Sequence, residues 1–404
     1  MNIIIVYDFG SVNGGAAQVA ISSAIALRNA GNNVVYFCAV KPTNNYLSEH
    51  GVEVVCSNQL DIKSDPNTIR KSIQGIWNVK ARKMLKVLLK RFSSADTVVH
   101  FHGWSKALSP SVLGVPNKLG FHSFITLHDF FTYCPNGGLY NYHTGMICDC
   151  QPMSMKCMLC NCDRDSYSNK IWRVARNLVQ NMILPHLSNN TFISISDCST
   201  REFKRCYRFR NNYIVRVNNP VTFPTVSNVV NSTKDCYLFM ARLSKEKGVD
   251  LFCQALTIAG VRGIVLGDGP LKDKLQKDYP NIEFAGWVSD NEKENYLTRT
   301  RAFVFSSVWF ETFGLSVAEM LSVGIPCIVG DKTAAAEMIE DGKNGLLFRT
   351  GDLNSLVDAI KKMDTHYSNY SDIVFPKSDY SIEQHVVQLI SAYQKVCGSS
   401  IVTE

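Results

Sequence analysis

Two glutamates lie eight positions apart in the stretch WFETFGLSVAE, residues 309–319, which follows the apolar run AFVFSSV. Eight positions are close to two helical turns, so Glu311 can stand just ahead of a helix and Glu319 inside it. Backbone N–H groups of residues 313–315 would then lie at the helix N-terminus, where a phosphate binds favourably. In the alternative interpretation, Thr312 is the helix N-cap and the glutamates only interact with the helix dipole.

Two cations occupy the stretch ARLSKEKGVD. Arg242 directly follows an apolar run that predicts a strand, and Lys247 precedes a helical pattern that begins near Val249. Cations at the carboxyl end of a strand, facing a helix N-terminus, are typical of a pyrophosphate site. The alternative interpretation is an ordinary solvated loop between a strand and a helix.

Glycine and histidine mark the ends of predicted strands in the first half of the chain. Gly14 and Gly15 follow the first strand, where a side chain would block the close approach of a ligand. The pair is common in tight turns and departs from the G-x-G-x-x-G fingerprint of dinucleotide binders. His102 in VVHFHGW and His128 in TLHD end two later strands, so both are candidates for a site at the edge of a cleft. A purely structural role is the alternative for each histidine.

Six cysteines fall within residues 134–162. Thiolates around a zinc ion would hold together a loop too irregular to pack well, and the C-x-x-C at 157–160 has zinc-type spacing. Buried thiols and disulfides are the alternatives, because the stretch lacks two clean C-x-x-C pairs. The predicted structural zinc ligands are Cys134, Cys148, Cys157 and Cys162, with Cys150 and Cys160 as substitutes.

Near-continuous apolar runs alternate with helical patterns, which indicates an α/β fold with parallel sheets buried on both faces. The alternation restarts after the polar stretch at 218–235, so we predict two doubly wound domains. Ligands of such sheets bind at the carboxyl ends of strands, which predicts a substrate cleft between the domains. The predicted divisions are an N-terminal domain at 1–220 with a Cys-rich insertion at 134–162, a C-terminal domain at 221–380, and a final helix at 381–404 that packs back on the N-terminal domain.

Charge is unevenly distributed along the 404 residues, whose formal net charge is +7. Residues 1–220 carry 24 Lys and Arg against 12 Asp and Glu, or +12, whereas residues 221–404 carry 18 against 23, or −5. The strongly basic charge of residues 1–220 favours a polyanionic partner, either nucleic acid or an anionic membrane. The alternative is that the charge only confers solubility. Residues 77–92 alternate apolar and basic positions at helical spacing, as in a helix lying on a membrane. An ordinary helix packed on the sheet is the alternative.

Neither a signal peptide nor an apolar run of the roughly 18–20 residues needed to span a bilayer is recognisable. We therefore expect a cytoplasmic protein, in a compartment where metal binding or burial of cysteine is commoner than disulfide formation.

The motifs above, with LGDGP, FAGWV, GIPCIVG and EDGKNGLLF, occur in an order and at spacings that resemble the C-terminal half of retaining glycosyltransferases of family 4, the glycosyltransferase group 1 domain. GGAAQVA resembles the GGAExV turn of that family, with Ala17 where glutamate is common. The motifs are specific as a set and span most of the chain. The resemblance implies the GT-B fold, in which two Rossmann-like domains face a central cleft.

The resemblance also implies a retaining, metal-independent glycosyltransferase of the hexosyltransferase type, which needs no cofactor beyond the predicted structural zinc. Arg242 and Lys247 would neutralise the diphosphate of a nucleotide-sugar, Glu311 would bind the sugar and Glu319 the ribose. His128 would contact the sugar near the reacting carbon, so the implied catalytic residues are His128, Arg242, Lys247 and Glu311. The implied donor-binding residues are Gly14, Gly15, Arg242, Lys247, Gly267, Glu311, Phe313, Gly314, Leu315 and Glu319.

The implied partners are a nucleotide-diphosphate sugar donor and a glycan acceptor linked to undecaprenyl diphosphate, as in O-antigen or capsule assembly. With the basic charge, this predicts a protein peripheral to the inner face of the cytoplasmic membrane and no nucleic-acid partner. The alternatives are a GT-B-like nucleotide-sugar epimerase, which would hydrolyse the donor without an acceptor, and a non-catalytic basic protein that binds membranes or nucleic acid. The second alternative assigns no role to Glu311.

Overall fold

A computed structural model describes residues 1–224, 234–370 and 373–397. The chain divides into two compact units, and one division lies after Pro220. The N-terminal unit contains Met1–Gly138, Cys150–Pro220 and Asp379–Glu404, and the C-terminal unit contains Leu139–Asp149 and Val221–Ser378. The Cys-rich insertion is therefore divided between the units, which the sequence analysis did not predict.

Strands and helices alternate along the first 220 residues, as the apolar runs predict. In chain order they are β1 Asn2–Phe9, α1 Gly15–Asn29, β2 Asn33–Val40, α2 Tyr46–Glu49, β3 Glu53–Cys56, α3 Thr68–Ile76, α4 Val79–Leu89, β4 Thr97–Phe101, α5 Gly114–Lys118, β5 His122–Thr126, β6 Tyr140–Asn141, β7 Met146–Ile147, α6 Met155–Leu159, α7 Tyr167–Asn181, β8 Asn190–Ser194, α8 Asp197–Arg205 and β9 Ile214–Arg216. Strands β6 and β7 form a small antiparallel hairpin.

The N-terminal sheet is parallel, with strand order β3-β2-β1-β4-β5-β8-β9. The order reverses between β1 and β4, which are paired from Asn2 opposite Thr97. In a doubly wound sheet, ligands bind beyond the carboxyl ends of the strands at this reversal, the topological switch point. The loops after Phe9 and Phe101 therefore border the predicted ligand site of this unit.

The second half of the chain repeats the alternation. Its elements are β10 Cys236–Met240, α9 Val249–Ala259, β11 Arg262–Leu266, α10 Lys272–Asp278, β12 Glu283–Gly286, α11 Asp290–Arg299, β13 Thr300–Phe305, α12 Leu315–Ser322, β14 Cys327–Gly330, β15 Gly345–Phe348, α13 Leu353–Thr365 and α14 Ile382–Cys397. The sheet is parallel, with order β12-β11-β10-β13-β14-β15, and its switch point lies between β10 and β13. Counted within this unit, the order is the 3-2-1-4-5-6 of dinucleotide-binding sheets.

The final helix, α14, belongs to the N-terminal unit although it ends the chain. Its residues Leu389 and Tyr393 are fully buried in the same apolar cluster as Ile3 and Ile5 of β1 and several residues of α1. The hydroxyl of Tyr393 lies 2.6 Å from Nδ1 of His100 on β4. The end of the chain is therefore part of the N-terminal core.

The basic segment at 77–92 packs as an ordinary surface helix. Leu85, Leu88 and Leu89 of α4 are buried, so its apolar face lies inside the N-terminal unit. The prediction that this face lies on a membrane is wrong, because the apolar side chains already contact the unit's own core. Within the described residues, no helix is both long and apolar enough to cross a bilayer.

Candidate functional site

An ion pair lies at the switch point of the C-terminal sheet. Nζ of Lys247 is 2.6 Å from Oε1 of Glu311, and both side chains are largely buried. The hydroxyl of Ser307 and the indole N–H of Trp309 also donate to that oxygen, at 2.8 and 2.9 Å. The ammonium of Lys247 lies 5.3 Å from the centre of the Trp309 ring. Three donors therefore converge on one carboxylate oxygen, and no residue in the described part of the chain donates to Oε2 of Glu311.

The surroundings of Glu311 keep it ionised. Burial by itself would raise its pKa, but the charge of Lys247 and the bonds from Lys247, Trp309 and Ser307 outweigh burial. The pKa of Glu311 is therefore held below its ordinary value, because the charged form gains more from its donors than it loses by desolvation. The site presents a fixed acceptor oxygen and a fixed cation side by side.

Two loops at the ends of β10 and β13 bring this pair together. The first loop turns through Gly248, whose φ of 68° is left-handed and whose added Cβ would lie 2.0 Å from the carbonyl oxygen of Ser306. The backbone N–H of Val308 donates to the carbonyl of Glu246 at 3.0 Å. Glycine is needed here because the backbone of the β10 loop lies directly against the loop that carries Glu311.

Arg242 and Gly267 lie in adjoining loops at the same edge of the sheet. The guanidinium of Arg242 is exposed and forms no ion pair with any described residue. Gly267 has φ of 134°, and a Cβ there would lie 2.0 Å from the carbonyl oxygen of Ala241. The sequence motif LGDGP therefore reflects a close approach of two loop backbones, with an exposed cation beside it.

Helix α12 begins at Leu315, and its N-cap is Gly314 with a left-handed φ of 110°. No side chain caps the helix, so the interpretation of Thr312 as N-cap is wrong. A Cβ on Gly314 would lie 2.6 Å from that of Ala335. The first turn of α12 has N–H groups that the helix itself does not use, which is the arrangement expected of an anion-binding helix N-terminus.

Glu319 has a partner of its own. Its Oε2 lies 3.2 Å from Nζ of Lys293 on α11, and both side chains are largely buried. A carboxylate inside a helix and flanked by apolar residues needs such a partner. Glu319 is thus largely buried and ion-paired, and the sequence motif did not indicate that Lys293 would be its partner.

At the N-terminal switch point, Gly14 and Gly15 begin α1. Gly14 is the N-cap with φ of 149°, a conformation that other residues rarely adopt, and nothing lies within 4 Å of its would-be Cβ. Both glycines are exposed, and the first turn of α1 carries no acidic side chain. The prediction that this turn leaves room for a ligand is consistent with the open space above Gly14.

His128 follows β5 and forms a pair with His102, which follows β4. Nε2 of His128 lies 2.9 Å from Nδ1 of His102, and the two rings stack with their centres 5.1 Å apart. Burial lowers the pKa of His128 to about 3, and that of His102 falls well below its ordinary value. Both imidazoles are therefore neutral at physiological pH, and one proton is shared along the bond between them.

Asp8 is a residue that the sequence analysis missed. It is buried at the end of β1, and its carboxylate accepts three backbone N–H bonds, from Lys106, Ala107 and Leu108, at 2.8–2.9 Å. Burial nevertheless raises its pKa. An aspartate inside the apolar run IIIVYDF was the available signal, because a carboxylate there needs several donors. Asp8 orders the loop that leads away from His102.

The Cys-rich insertion contains no recognisable metal-binding site among the described residues. No three His, Cys, Asp or Glu side chains lie together there in a way that could hold a metal ion. The buried ammonium of Lys170 lies 3.3 Å from Sγ of Cys162 and 3.9 Å from Sγ of Cys157. The structural zinc therefore stays a prediction.

The part of the chain that carries these loops is similar to known glycosyltransferases. Residues 225–372 match the family model described as Glycosyl transferases group 1. A GDP-mannose-dependent alpha-mannosyltransferase of Corynebacterium glutamicum is 26% identical over 40% of this chain and 40% of its own length. An uncharacterized 41.2 kDa protein in the cps region of Klebsiella pneumoniae is 28% identical over 41% of this chain and 49% of its own length. The matches span about half or less of these relatives.

The whole chain resembles solved glycosyltransferase structures more fully. The Anabaena protein Alr3699/HepE, solved in complex with UDP, superposes with a TM-score of 0.65 at 16% identity, and the match covers 98% of this chain and all of that one. The predicted α/β fold with two Rossmann-like units is confirmed. The chain therefore has the GT-B fold, and residues 225–372 of its sequence match the glycosyl transferases group 1 model.

Proposed function

We propose that this protein is a retaining glycosyltransferase that moves a sugar from a nucleotide-diphosphate donor to a glycan acceptor. The observation that carries the proposal is the paired cation and carboxylate at the C-terminal switch point, within the family-matched domain. Lys247 offers a charge to the diphosphate, and Oε2 of Glu311 is open to a hydroxyl of the donor sugar. Arg242 adds an exposed cation beside them, as a diphosphate with two or more charges requires.

The reaction we propose needs no protein nucleophile. As the bond between the anomeric carbon and the β-phosphate oxygen breaks, Arg242 and Lys247 balance the charge that develops on the leaving nucleoside diphosphate. The acceptor hydroxyl attacks the oxocarbenium-like carbon from the face that the phosphate leaves, and a phosphate oxygen takes its proton. The anomeric configuration is then retained, and the two cations supply the stabilisation that a divalent metal supplies elsewhere.

His128 fits this scheme as a neutral hydrogen-bonding group. Because burial lowers its pKa to about 3, it carries no charge that would repel an oxocarbenium ion. Its bond to His102 fixes the orientation of the ring beside the site that we assign to the donor sugar. We assign it to positioning the sugar rather than to transferring a proton.

We further propose that the acceptor is a lipid-linked glycan of a bacterial surface polysaccharide, of the O-antigen or capsule type. The support is the relative in the cps region of Klebsiella pneumoniae and the charge of +12 over residues 1–220. An acceptor on undecaprenyl diphosphate would bring the enzyme to the inner face of the cytoplasmic membrane.

Thermal-shift measurements with nucleoside diphosphates and their sugars test the donor assignment. We expect stabilisation by the diphosphates of one base, with about 2–3 kcal/mol expected at a ligand concentration near 100 times the Kd. Arg242→Ala should lose most of that shift. The matched control is Lys245→Ala, which removes an exposed cation from the same loop and should keep it.

Two outcomes would contradict the proposal. If no nucleotide stabilises the protein, or if Lys245→Ala weakens binding as much as Arg242→Ala, the switch-point pair is not a donor site. Release of free sugar from the donor at the same rate with and without acceptor would favour the epimerase alternative. Transfer with inverted anomeric configuration would overturn the retaining mechanism.

A further inference from the structure

Helix α7 of the N-terminal unit has its polar face inside and its apolar face outside. The buried residues of its second half are all polar, among them Arg176, Asn177 and Gln180, whereas Ile171 and Leu178 are 56% and 46% exposed. An ordinary surface helix shows the reverse pattern. The inversion leaves apolar side chains in water along the length of the helix.

The inverted face is built into the fold. The amide nitrogen of Gln180 donates to the carbonyls of Phe131 and Thr132 at 2.8 and 2.7 Å, and its oxygen accepts from the indole of Trp104 at 2.7 Å. Arg176 donates to the carbonyl of Ser105 at 2.8 Å. These bonds satisfy loop carbonyls that would otherwise be buried without a donor, so the polar face cannot turn outward without losing them.

Two neighbouring helices expose apolar side chains in the same way. Helix α3 exposes two isoleucines one turn apart, and α6 exposes a methionine and a leucine one turn apart, each more than 60%. Trp172 on α7 donates to the carbonyl of Ser72 on α3 at 2.9 Å, and Tyr167 donates to the carbonyl of Leu159 on α6 at 3.2 Å. We define the three-helix surface by its most exposed side chains, Ile69, Ile73, Met155, Leu159, Ile171 and Leu178.

The charge near this surface is predominantly positive. Helices α3, α4, α6 and α7 contain no aspartate or glutamate, and residues 62–92 carry nine Lys and Arg against one Asp, a balance of +8. The one acid, Asp65, is ion-paired with Arg70. On α4, Lys80, Lys83 and Lys86 are exposed. A second copy of the chain would bring like charges together, whereas an anionic bilayer complements both the apolar side chains and the cations.

We propose that the three-helix surface is where this protein binds an anionic bilayer, with the lysines of α4 at the headgroups. The inference deepens the proposed function, since it names the surface through which a lipid-linked acceptor would be approached. It replaces the predicted contact through the apolar face of α4, which is buried. The exposed apolar side chains would enter the boundary between headgroups and acyl chains, where such residues are stabilised.

Sedimentation with vesicles tests the surface by measuring how much of the full chain binds. Two kinds of vesicle are compared, one of phosphatidylcholine alone and one that also contains about 30% phosphatidylglycerol. We expect at least about tenfold stronger binding to the anionic vesicles, and a loss of about tenfold in Ile69→Gln/Ile171→Gln. The control is Ile258→Gln/Val374→Gln, which changes two comparably exposed residues of the C-terminal unit and should bind as wild type. Because all four substituted side chains are exposed, we expect both variants to keep the thermal unfolding midpoint of the wild type.

The proposal is overturned if wild type binds neither vesicle, or if the Ile69→Gln/Ile171→Gln variant binds as well as wild type. Sedimentation equilibrium on lipid-free protein measures the oligomeric state. A dimer that the same variant abolishes would assign the surface to a second copy and overturn the lipid proposal. Thermal stabilisation by nucleoside diphosphates is measured separately. If vesicle binding is absent while nucleotides still stabilise the protein, only this inference is contradicted. If vesicles bind but no nucleotide stabilises the protein, only the donor site is contradicted.

Discussion

The two switch points of this protein share a topology and differ in charge. At the C-terminal one, an ion pair between Lys247 and Glu311 is supported by Ser307 and Trp309, with the exposed Arg242 nearby. At the N-terminal one, the corresponding loops carry an open glycine turn and two neutral imidazoles. The oxygens of Asp8, at the end of β1, are occupied by three backbone N–H groups.

On the proposed function, this difference assigns the diphosphate to the C-terminal site and the sugar to the N-terminal one. A diphosphate needs cations, and the C-terminal site offers two of them on loops held by glycine close approaches. A sugar that acquires positive character at its anomeric carbon is destabilised by nearby cations, and the histidine pair offers hydrogen bonds without charge. The same sheet order therefore supports two chemistries, because the loops after the strands carry the specificity.

The comparison is tested most strongly by removing the cation of the C-terminal site. Lys247→Met keeps the stem and loses the charge, so we expect kcat/KM to fall by about 10²–10³-fold, as for other preorganised charge contacts. It should also destabilise the protein by about 3 kcal/mol, because Glu311 is left charged and unpaired. Steady-state rates and urea unfolding measure the two effects.

A second variant separates catalysis from stability. Lys247→Met/Glu311→Gln removes the unpaired charge, so the stability should return towards wild type while kcat/KM stays low. If the double variant also recovers activity, the ion pair supports the fold alone and the contrast between the two switch points fails.

At the N-terminal site, a substitution should lower kcat without changing the affinity for the nucleoside diphosphate. His128→Gln removes the imidazole that we place at the donor sugar, so kcat should fall by about 30-fold, or about 2 kcal/mol, for one or two lost hydrogen bonds. The Kd of the nucleoside diphosphate, measured by calorimetry, should stay unchanged because we assign the phosphates to the C-terminal unit. A rise in that Kd equal to the fall in kcat would place His128 at the diphosphate instead. His50→Gln, at an exposed position, is the control.

Much of this architecture was predictable, since each buried parallel strand is a nearly unbroken apolar run. The runs IIIVYDF, NVVYFCAV and AFVFSSV became β1, β2 and β13 within a few residues. The alternation with helices predicted two doubly wound parallel sheets, because it leaves few topologies. The loop residues Arg242, Lys247 and Glu311 could be proposed because they follow strand ends in a spaced set of motifs.

Partners that arise only from the tertiary structure could not be predicted. Nothing in the spacing pairs Lys293 with Glu319, or brings Ser307 and Trp309 to the same oxygen of Glu311. The burial of the apolar face of α4 and the exposure of that of α7 were likewise hidden, because an amphipathic pattern does not say which face meets the core. Helix α7 is the clearest case, since its polar residues bond to loop carbonyls distant in sequence.

Acid should affect the N-terminal unit before the C-terminal one. Burial lowers the pKa of His385 to about 4, so the unfolded chain takes up this proton more readily and stability falls as pH drops below the ordinary histidine value. From pH 7 to 5.5, protonation of His385 in the unfolded chain should lower stability by about 1 kcal/mol, given an unfolded pKa near 6.5. Glu311 has a lowered pKa, so its contribution is lost only at lower pH, as the pH falls through that value.

Hydrogen exchange at the two pH values distinguishes the units. After correction for the intrinsic exchange rate, β1 and β4 should lose protection at pH 5.5 and β10 and β13 should keep it. His385→Gln should reduce the pH-dependent loss of stability by the amount above. Equal loss of protection in both sheets would contradict the assignment of the buried imidazoles as the acid-sensitive groups.

The weakest contact in the comparison is the one that we assign to the ribose. Glu319→Gln keeps the shape and removes the charge, so the affinity for the nucleoside diphosphate should fall by about fourfold, or about 0.8 kcal/mol, the scale of one hydrogen bond. Lys293→Met breaks the same ion pair from the other side and keeps the carboxylate that we assign to the ribose, so its affinity should stay within about twofold of wild type. Calorimetric titration of both variants measures the difference. If Lys293→Met weakens binding more than Glu319→Gln, the cation rather than the carboxylate contacts the nucleotide, and α11 contributes a third positive charge to the diphosphate site.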